Sequence, residues 1–169
     1  MKAIKSKIPE QSLVNNYFPA DYTDAFYCEC DSDLQLTPDD IMVRFWTDFP
    51  WWVETLFAIR NFFVRLIGLQ AGRGKKQEIE QLIRNEERSK LGSIPVKNGQ
   101  ETVLLLDDSH LDAYTSVLIE NKPDCKVVYT ITLVHYKKRL GSIYFFFVRP
   151  FHGIIVKKSL KRTLKKYSK

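Results

Sequence analysis

The spacing of apolar positions changes along the chain, and the changes mark its elements. Residues 23–31 (Thr-Asp-Ala-Phe-Tyr-Cys-Glu-Cys-Asp) alternate and predict a first strand, whereas residues 1–22, with scattered apolar positions and two prolines, read as an irregular leader. Thr37-Pro38-Asp39-Asp40 is a helix start: a threonine able to cap, a proline suited to the first helical position, and two acids facing the positive end of the dipole. Ile41, Met42, Phe45, Trp46 and Phe49 follow at helical spacing. Pro50 opens a second helix expected to reach Leu66 or Ile67, with Gly68 placed to end it. Its stripe of Trp52, Leu56, Ile59, Phe63 and Leu66 is wide enough to mean deep burial or the wall of a cavity. Residues 70–90 form a charged connection holding one short helix, with only Ile79, Leu82 and Ile83 to bury.

From Ile94 to Tyr136 the period is two. Strands are expected at 92–96, 101–107, 110–120 and 126–136, with turn signals at Asn98-Gly99 and at Asn121-Lys122-Pro123-Asp124. Leu111, Ala113, Thr115, Val117 and Ile119 share one face of the third of these, and Val127, Tyr129, Ile131 and Leu133 one face of the fourth. The pattern is an antiparallel meander with one apolar face.

The C-terminal segment carries Leu140, Ile143, Tyr144, Phe147, Phe151, Ile154 and Ile155 at three- and four-residue steps, a stripe expected to face the sheet. Residues 143–148 are β-rich and Pro150 is interior, so a strand to Val148 with a helix from Pro150 is the competing reading. One long, kinked helix to about Tyr167 is favoured, because the sheet's apolar face needs a cover. The order of elements makes the chain α+β.

A length of 169 residues and 44% hydrophobic content suit one domain with a continuous core. The basic N-terminus has no apolar run behind it, and the longest apolar run, residues 143–148, is too short to span a bilayer, so a soluble, cytoplasmic protein is expected, without stable membrane insertion. Cys28 and Cys30 sit side by side on one strand face, with Cys125 left over, which favours free thiols. No second cysteine pair or histidine cluster completes a metal site, and neither a metal nor a cofactor is expected. The net charge of +6 is concentrated in residues 157–169, which hold seven cations and no acid, leaving the body nearly neutral. Nucleic-acid binders spread basic residues over the folded body instead, so no nucleic-acid partner is expected. In the tail, Val156, Leu160, Leu164 and Tyr167 form one stripe and the cations the other; this reads as a sheet-covering helix with a solvated back, in preference to an interfacial membrane helix.

Candidate chemistry is sparse. Asp108, His110 and Asp112 lie at i, i+2 and i+4, which on an extended chain would flank an imidazole with carboxylates for acid–base work. An outward polar row, or a turn in which the carboxylates only accept backbone N–H groups, fits the same residues and is favoured. His152 lies on or beside the sheet-facing stripe. Arg60, among apolar neighbours, would need a carboxylate such as Asp24 or Asp112. Gly72-Arg73-Gly74 lacks the spacing of a phosphate loop, and no serine or cysteine sits in a nucleophile elbow.

An ordered set of short segments resembles a bacterial domain-of-unknown-function family placed in the START-like, polyketide-cyclase-like (SRPBCC) superfamily. The segments are Tyr22-Thr23-Asp24-Ala25-Phe26, Pro50-Trp51-Trp52-Val53 leading to Ile59-Arg60-Asn61, Gly68-Leu69, Asp107-Asp108-Ser109-His110-Leu111-Asp112, Leu140-Gly141-Ser142-Ile143-Tyr144 and Pro150-Phe151-His152, spanning residues 20–166. Gly153 stands where a basic residue is expected, and the 70–90 connection is more charged than usual; both leave any head-group contact open. The resemblance implies a helix-grip fold: a curved antiparallel sheet wrapping the C-terminal helix, two helices inserted after the first strand, and a cavity between sheet and helix. In such a fold a small hydrophobic ligand would meet Trp52, Arg60, Phe63, Tyr129, Tyr144, Phe147, Phe151 and His152. Two other roles are open: a cyclase-, dehydratase- or isomerase-type enzyme using Asp108, His110, Asp112 or His152, and an accessory to a short-chain reductase, since some relatives are fused to one.

Overall fold

The computed structural model describes residues 2–55, 76–86, 88–89 and 92–168. Six strands, β1 (Ile4–Ser6), β2 (Tyr22–Asp31), β3 (Ser93–Lys97), β4 (Glu101–Asp107), β5 (Leu111–Asn121) and β6 (Cys125–Tyr136), form one open sheet in the order β1-β2-β6-β5-β4-β3. Every neighbouring pair is antiparallel. The helices are α1 (Pro38–Thr47), α2 (Lys76–Asn85) and α3 (Arg139–Lys165), and a 3-10 helix spans Leu13–Tyr17. The architecture is α+β, consistent with a helix grip: α3 lies over β2 and β6, and α1 over β5 and β4. Among the described residues no helix is long and apolar enough to cross a membrane.

Local chemistry accounts for the helix starts. The Thr37 hydroxyl accepts from the Asp40 N–H at 3.1 Å, Pro38 occupies the first turn and Asp39 and Asp40 face the dipole. Ile79, Leu82 and Ile83 are the buried residues of α2. Residues 51–55 are helical after Pro50, with Val53 buried; the predicted continuation to Leu66 or Ile67, including Arg60 and Phe63, lies outside the described residues. The C-terminal segment is one helix from Arg139, with Pro150 inside it. Pro150 is exposed, so water can satisfy the carbonyl whose helical donor it removes, which moderates a cost of about 3 kcal/mol.

Two expectations about faces are corrected. The sheet is apolar on both faces, not one. The main core lies on the helix side: Phe26, Cys28, Leu104, Val117, Ile119 and Val128 pack against Ile41, Met42, Leu82, Val156, Leu160 and Leu164. The Ala25, Ile131 and Leu133 row faces the other way and is covered by Val14, Ile8 and Tyr17 of the leader. Residues 1–22 are therefore not an irregular strap: they supply edge strand β1 and a 3-10 turn that closes the second face. Each such fully buried aliphatic side chain contributes about 2 kcal/mol of transfer free energy, reason enough for the leader to order.

The second correction concerns α3. Its sheet-facing residues are Gly141, Phe145, Val156, Ser159, Leu160 and Thr163, all buried, so the tail stripe of Val156, Leu160 and Leu164 covers the sheet as expected. The stripe of Leu140, Ile143, Phe147, Phe151 and Ile154 points away, with Ile143 at 53%, Phe147 at 67% and Phe151 at 50% exposure. Gly141 sets this rotation. A Cβ there would lie 2.2 Å from the His110 carbonyl oxygen, so the helix approaches the β4–β5 hairpin on its glycine side.

Candidate functional site

The period of two in β2 turns Tyr22, Asp24 and Phe26 toward the helices, and β6 places Val134, Thr132 and Thr130 beside them in register. Across this row runs the middle of α3. His152 Nε2 lies 3.3 Å from Thr132 Oγ1 and 3.4 Å from Asp24 Oδ2. The Tyr22 hydroxyl donates to the same Asp24 oxygen at 2.7 Å. Tyr22, Phe145 and His152 enclose the group with rings 4.7–6.0 Å apart. The Asp24 side chain is 2% exposed, yet its Oδ1 has no hydrogen-bond partner among the described residues; Thr130 Oγ1 and Ser159 Oγ are buried in the same condition. Burial, then the hydrogen bond to Asp24 and that carboxylate's charge, push the Tyr22 phenol far above its ordinary value, so it stays protonated as a donor.

Beside this group opens a cleft of about 540 Å³, lined by Tyr22, Asp24 and Phe26 of β2 with Asp21, by Arg149, Pro150, Gly153, Ile154 and Lys157 of α3, and by Lys5 of β1. Arg149 and Lys157 reach it at i and i+8 on one helix face. Each leans on an aromatic ring, Arg149 over Tyr22 at 5.4 Å and Lys157 over Phe26 at 5.1 Å. Three cations thus rim a floor that holds one nearly buried carboxylate. A Cβ on Gly153 would meet Phe26 Cζ at 3.4 Å, an ordinary contact, so a β-carbon is accommodated at this point of the lining.

A second depression, of about 610 Å³, lies at the start of α1 against the β3–β4 turn. Its polar groups satisfy one another: Lys97 pairs with Asp39 and Glu86, and Thr102 donates to Asp39 at 2.6 Å. Among the described residues lining it, no buried polar side-chain atom lacks a partner.

The remaining sequence candidates separate. Asp108, His110 and Asp112 do not form an extended row, because Asp108 N–H bonds the Leu111 carbonyl and residues 108–110 make the β4–β5 turn. Asp108 accepts from the Ser109 N–H at 2.6 Å, as the turn reading requires. His110 is 1% exposed, with Nδ1 3.0 Å from Asp108 Oδ1 and its ring edge-on to Tyr144 at 5.2 Å. Asp112 is held by Lys137 at 2.7 Å, which also binds Asp107. Tyr129 faces the leader, not the helices, and donates to Glu120 at 3.2 Å. Tyr144 packs with Phe145 over Leu111 and Val134, Phe147 and Phe151 point to solvent, and Trp52 lies under Lys158 Nζ at 4.7 Å. Among the described candidates, His152 alone stands beside the cleft, through its contact with the lining residue Asp24; Arg60 and Phe63 lie outside the described residues.

The sequence reading passed over Tyr22, Lys5, Arg149 and Lys157. Strand parity groups Tyr22 with Asp24 and Phe26, and the eight-residue step from Arg149 to Lys157 is a helix-face signal; what joins them is the crossing of α3 over β2, which no local pattern reports. Among the described residues no three of His, Cys, Asp and Glu cluster where a metal ion could sit. No curated protein and no solved structure matches the chain. The model of a family described as "Protein of unknown function (DUF2867)" matches residues 18–159, every cleft residue but Lys5 among them, and the chain belongs to that family.

Proposed function

We propose that the chain is a binding domain for a small amphipathic molecule held between β2 and α3. The observation that carries this reading is Asp24 Oδ1, an almost fully buried carboxylate oxygen with no donor among the described residues. Leaving such an acceptor unmet costs about 1–3 kcal/mol, and a hydroxyl or ammonium of a ligand in the cleft recovers it. An anionic end of the same molecule meets Arg149, Lys157 and Lys5, and a flat apolar body lies against Phe26, Tyr22 and Ile154. The resemblance to the START-like superfamily supports the same location, since that fold binds small molecules beneath its last helix.

The test is a thermal-shift and calorimetric screen of hydroxylated aromatic and fatty acids. A binder should raise the melting temperature of the native chain. Asp24→Asn should weaken it about tenfold or more, by loss of a charge-assisted hydrogen bond of roughly 1.5–3 kcal/mol, and Gly153→Leu should block it by filling the cleft wall. Binding that survives both substitutions would place the ligand elsewhere.

One observation favours a second reading, acid–base catalysis of an isomerase, cyclase or dehydratase type: His152 Nε2 is within reach of Asp24 and Thr132 at the cleft's edge. On this reading His152 moves a proton next to a ligand carbonyl while Asp24 fixes the ring. Deuterium from solvent should then enter the carbon beside that carbonyl, and His152→Gln should stop the exchange while leaving affinity intact. Binding without exchange decides for the first reading.

A further inference from the structure

The exposed stripe on α3 is a second feature of the molecule; it shares Ile154, Arg149 and Lys157 with the cleft, but rests on exposed apolar residues that the cleft does not use. Leu140, Ile143, Phe147, Phe151 and Ile154 recur at steps of three and four and leave an apolar strip about 21 Å long at 1.5 Å per residue. Phe146, at 71% exposure, widens it. The core does not need this strip, because α3 already buries Phe145, Val156 and Leu160 on its opposite side. Scattered exposed apolar residues are ordinary; six on one helix half are not.

The charge around the strip identifies its partner. From Arg139 to Lys165 the helix carries Arg139, Arg149, Lys157, Lys158, Lys161, Arg162 and Lys165 and not one acid. Arg139, Arg149, Lys157, Lys158 and Lys161 are exposed, and Lys158 and Lys161 continue the line of the strip itself. A second copy of the chain would set these cations against one another with no acid on either helix to offset them. A single-stranded nucleic acid would use the phenylalanines for stacking but leave Leu140, Ile143 and Ile154 without a role. A bilayer with anionic headgroups meets both parts at once: phenylalanine, leucine and isoleucine enter the acyl boundary, and lysine and arginine stay among the headgroups. We propose that α3 docks the protein, lying in the interface and not spanning it, on an anionic lipid surface through this strip.

The experiment is co-sedimentation of the full chain with phosphatidylcholine vesicles and with mixed phosphatidylcholine–phosphatidylglycerol vesicles, across a salt series. The expected result is partition onto the mixed vesicles about tenfold or more above that onto phosphatidylcholine alone, lost as salt rises. The double variant Phe147→Asp, Phe151→Asp should lose at least tenfold of that partition. Both side chains are largely exposed, so the variant should keep the native melting temperature, and that measurement separates lost docking from lost folding. A folded variant that binds as the native chain does, native binding indifferent to phosphatidylglycerol, a concentration-dependent dimer abolished by the variant, or retention on a single-stranded oligonucleotide in place of vesicles would each overturn the proposal. Phe147 and Phe151 do not line the cleft, so the double variant should still bind a cleft ligand in the calorimetric screen, and failure of docking stays distinguishable from failure of the cleft reading.

Discussion

Glu101 is a buried carboxylate that works as a rivet. It accepts from Ser12 Oγ at 2.6 Å and from the Leu13 N–H at 2.7 Å, and the Ser116 hydroxyl donates to it as well. The leader is thereby fastened to the sheet face that Val14 covers. Glu101→Ala would strand these donors in the interior, and a loss of about 3 kcal/mol is expected, read as a lower urea midpoint at an unchanged slope. Glu101→Gln keeps the shape but turns an amide N–H₂ toward donors, so it should lose less than alanine and still measurably. A change within half a kcal/mol for alanine would mean that the leader holds by packing alone. Nothing in the sequence pointed to this role: Glu101 reads as the polar first residue of a strand, and its partners Ser12 and Leu13 are 89 and 88 residues away. Asp24 was legible as a residue but not as a cleft floor, because its company is assembled by α3 from the far end of the chain.

Among the elements, α3 separates what spacing reveals from what it hides. Three- and four-residue steps predicted a helix through Pro150, and the helix is there. The same steps occur on both sides of it, since Gly141, Phe145, Val148, His152, Val156 and Leu160 are as regular as Ile143, Phe147 and Phe151, so period alone cannot say which side is inner. The deciding residue is Gly141, a void in the inner stripe that the eye passes over. Gly141→Ala would improve helix propensity by nearly 1 kcal/mol, yet its Cβ would collide with backbone, the His110 carbonyl oxygen at 2.2 Å and its carbon at 3.1 Å. The clash should win, with a net loss of about 2 kcal/mol and a melting temperature that falls. A rise would show that α3 can back away from the hairpin without penalty. Strand parity met the same limit as helix spacing: it grouped Val127, Tyr129, Ile131 and Leu133 correctly but could not show that the leader, and not α3, would cover them.

For the whole molecule, the layers are closed by groups that folding holds in opposite protonation states. On the helix side, burial pushes the Cys28 thiol up to about 11 from its ordinary 9.0. On the leader side, burial first and then the Glu120 carboxylate push Tyr129 up to about 12 from 10.0. Both groups are acids kept neutral by the fold, so the unfolded chain releases their protons first as pH rises. Their contribution to stability is whole below about pH 9 and drains away between the unfolded and folded values. The carboxylates work the other way. Burial raises Asp48, but the hydrogen bond and charge of Lys166, with Arg162, outweigh it and hold the carboxyl below 3.8. Asp40 behaves likewise under Thr37 and Arg84. These groups favour the fold above that value and stop doing so as pH falls through the folded one. Both sit in partly solvated pairs, where screening keeps each contribution small, so the acid limb should be shallow. The alkaline limb should be the steeper one, because Cys28 is fully buried in the main core and the desolvation of its thiolate outweighs the charge of Lys161. Melting temperatures followed by circular dichroism from acid to alkali should therefore fall first above pH 9. Cys28→Ala, though less stable at neutral pH from its cavity, should flatten the fall between 9 and 11; an alkaline limb as steep as the native one would assign the loss to the tyrosines instead of the thiol.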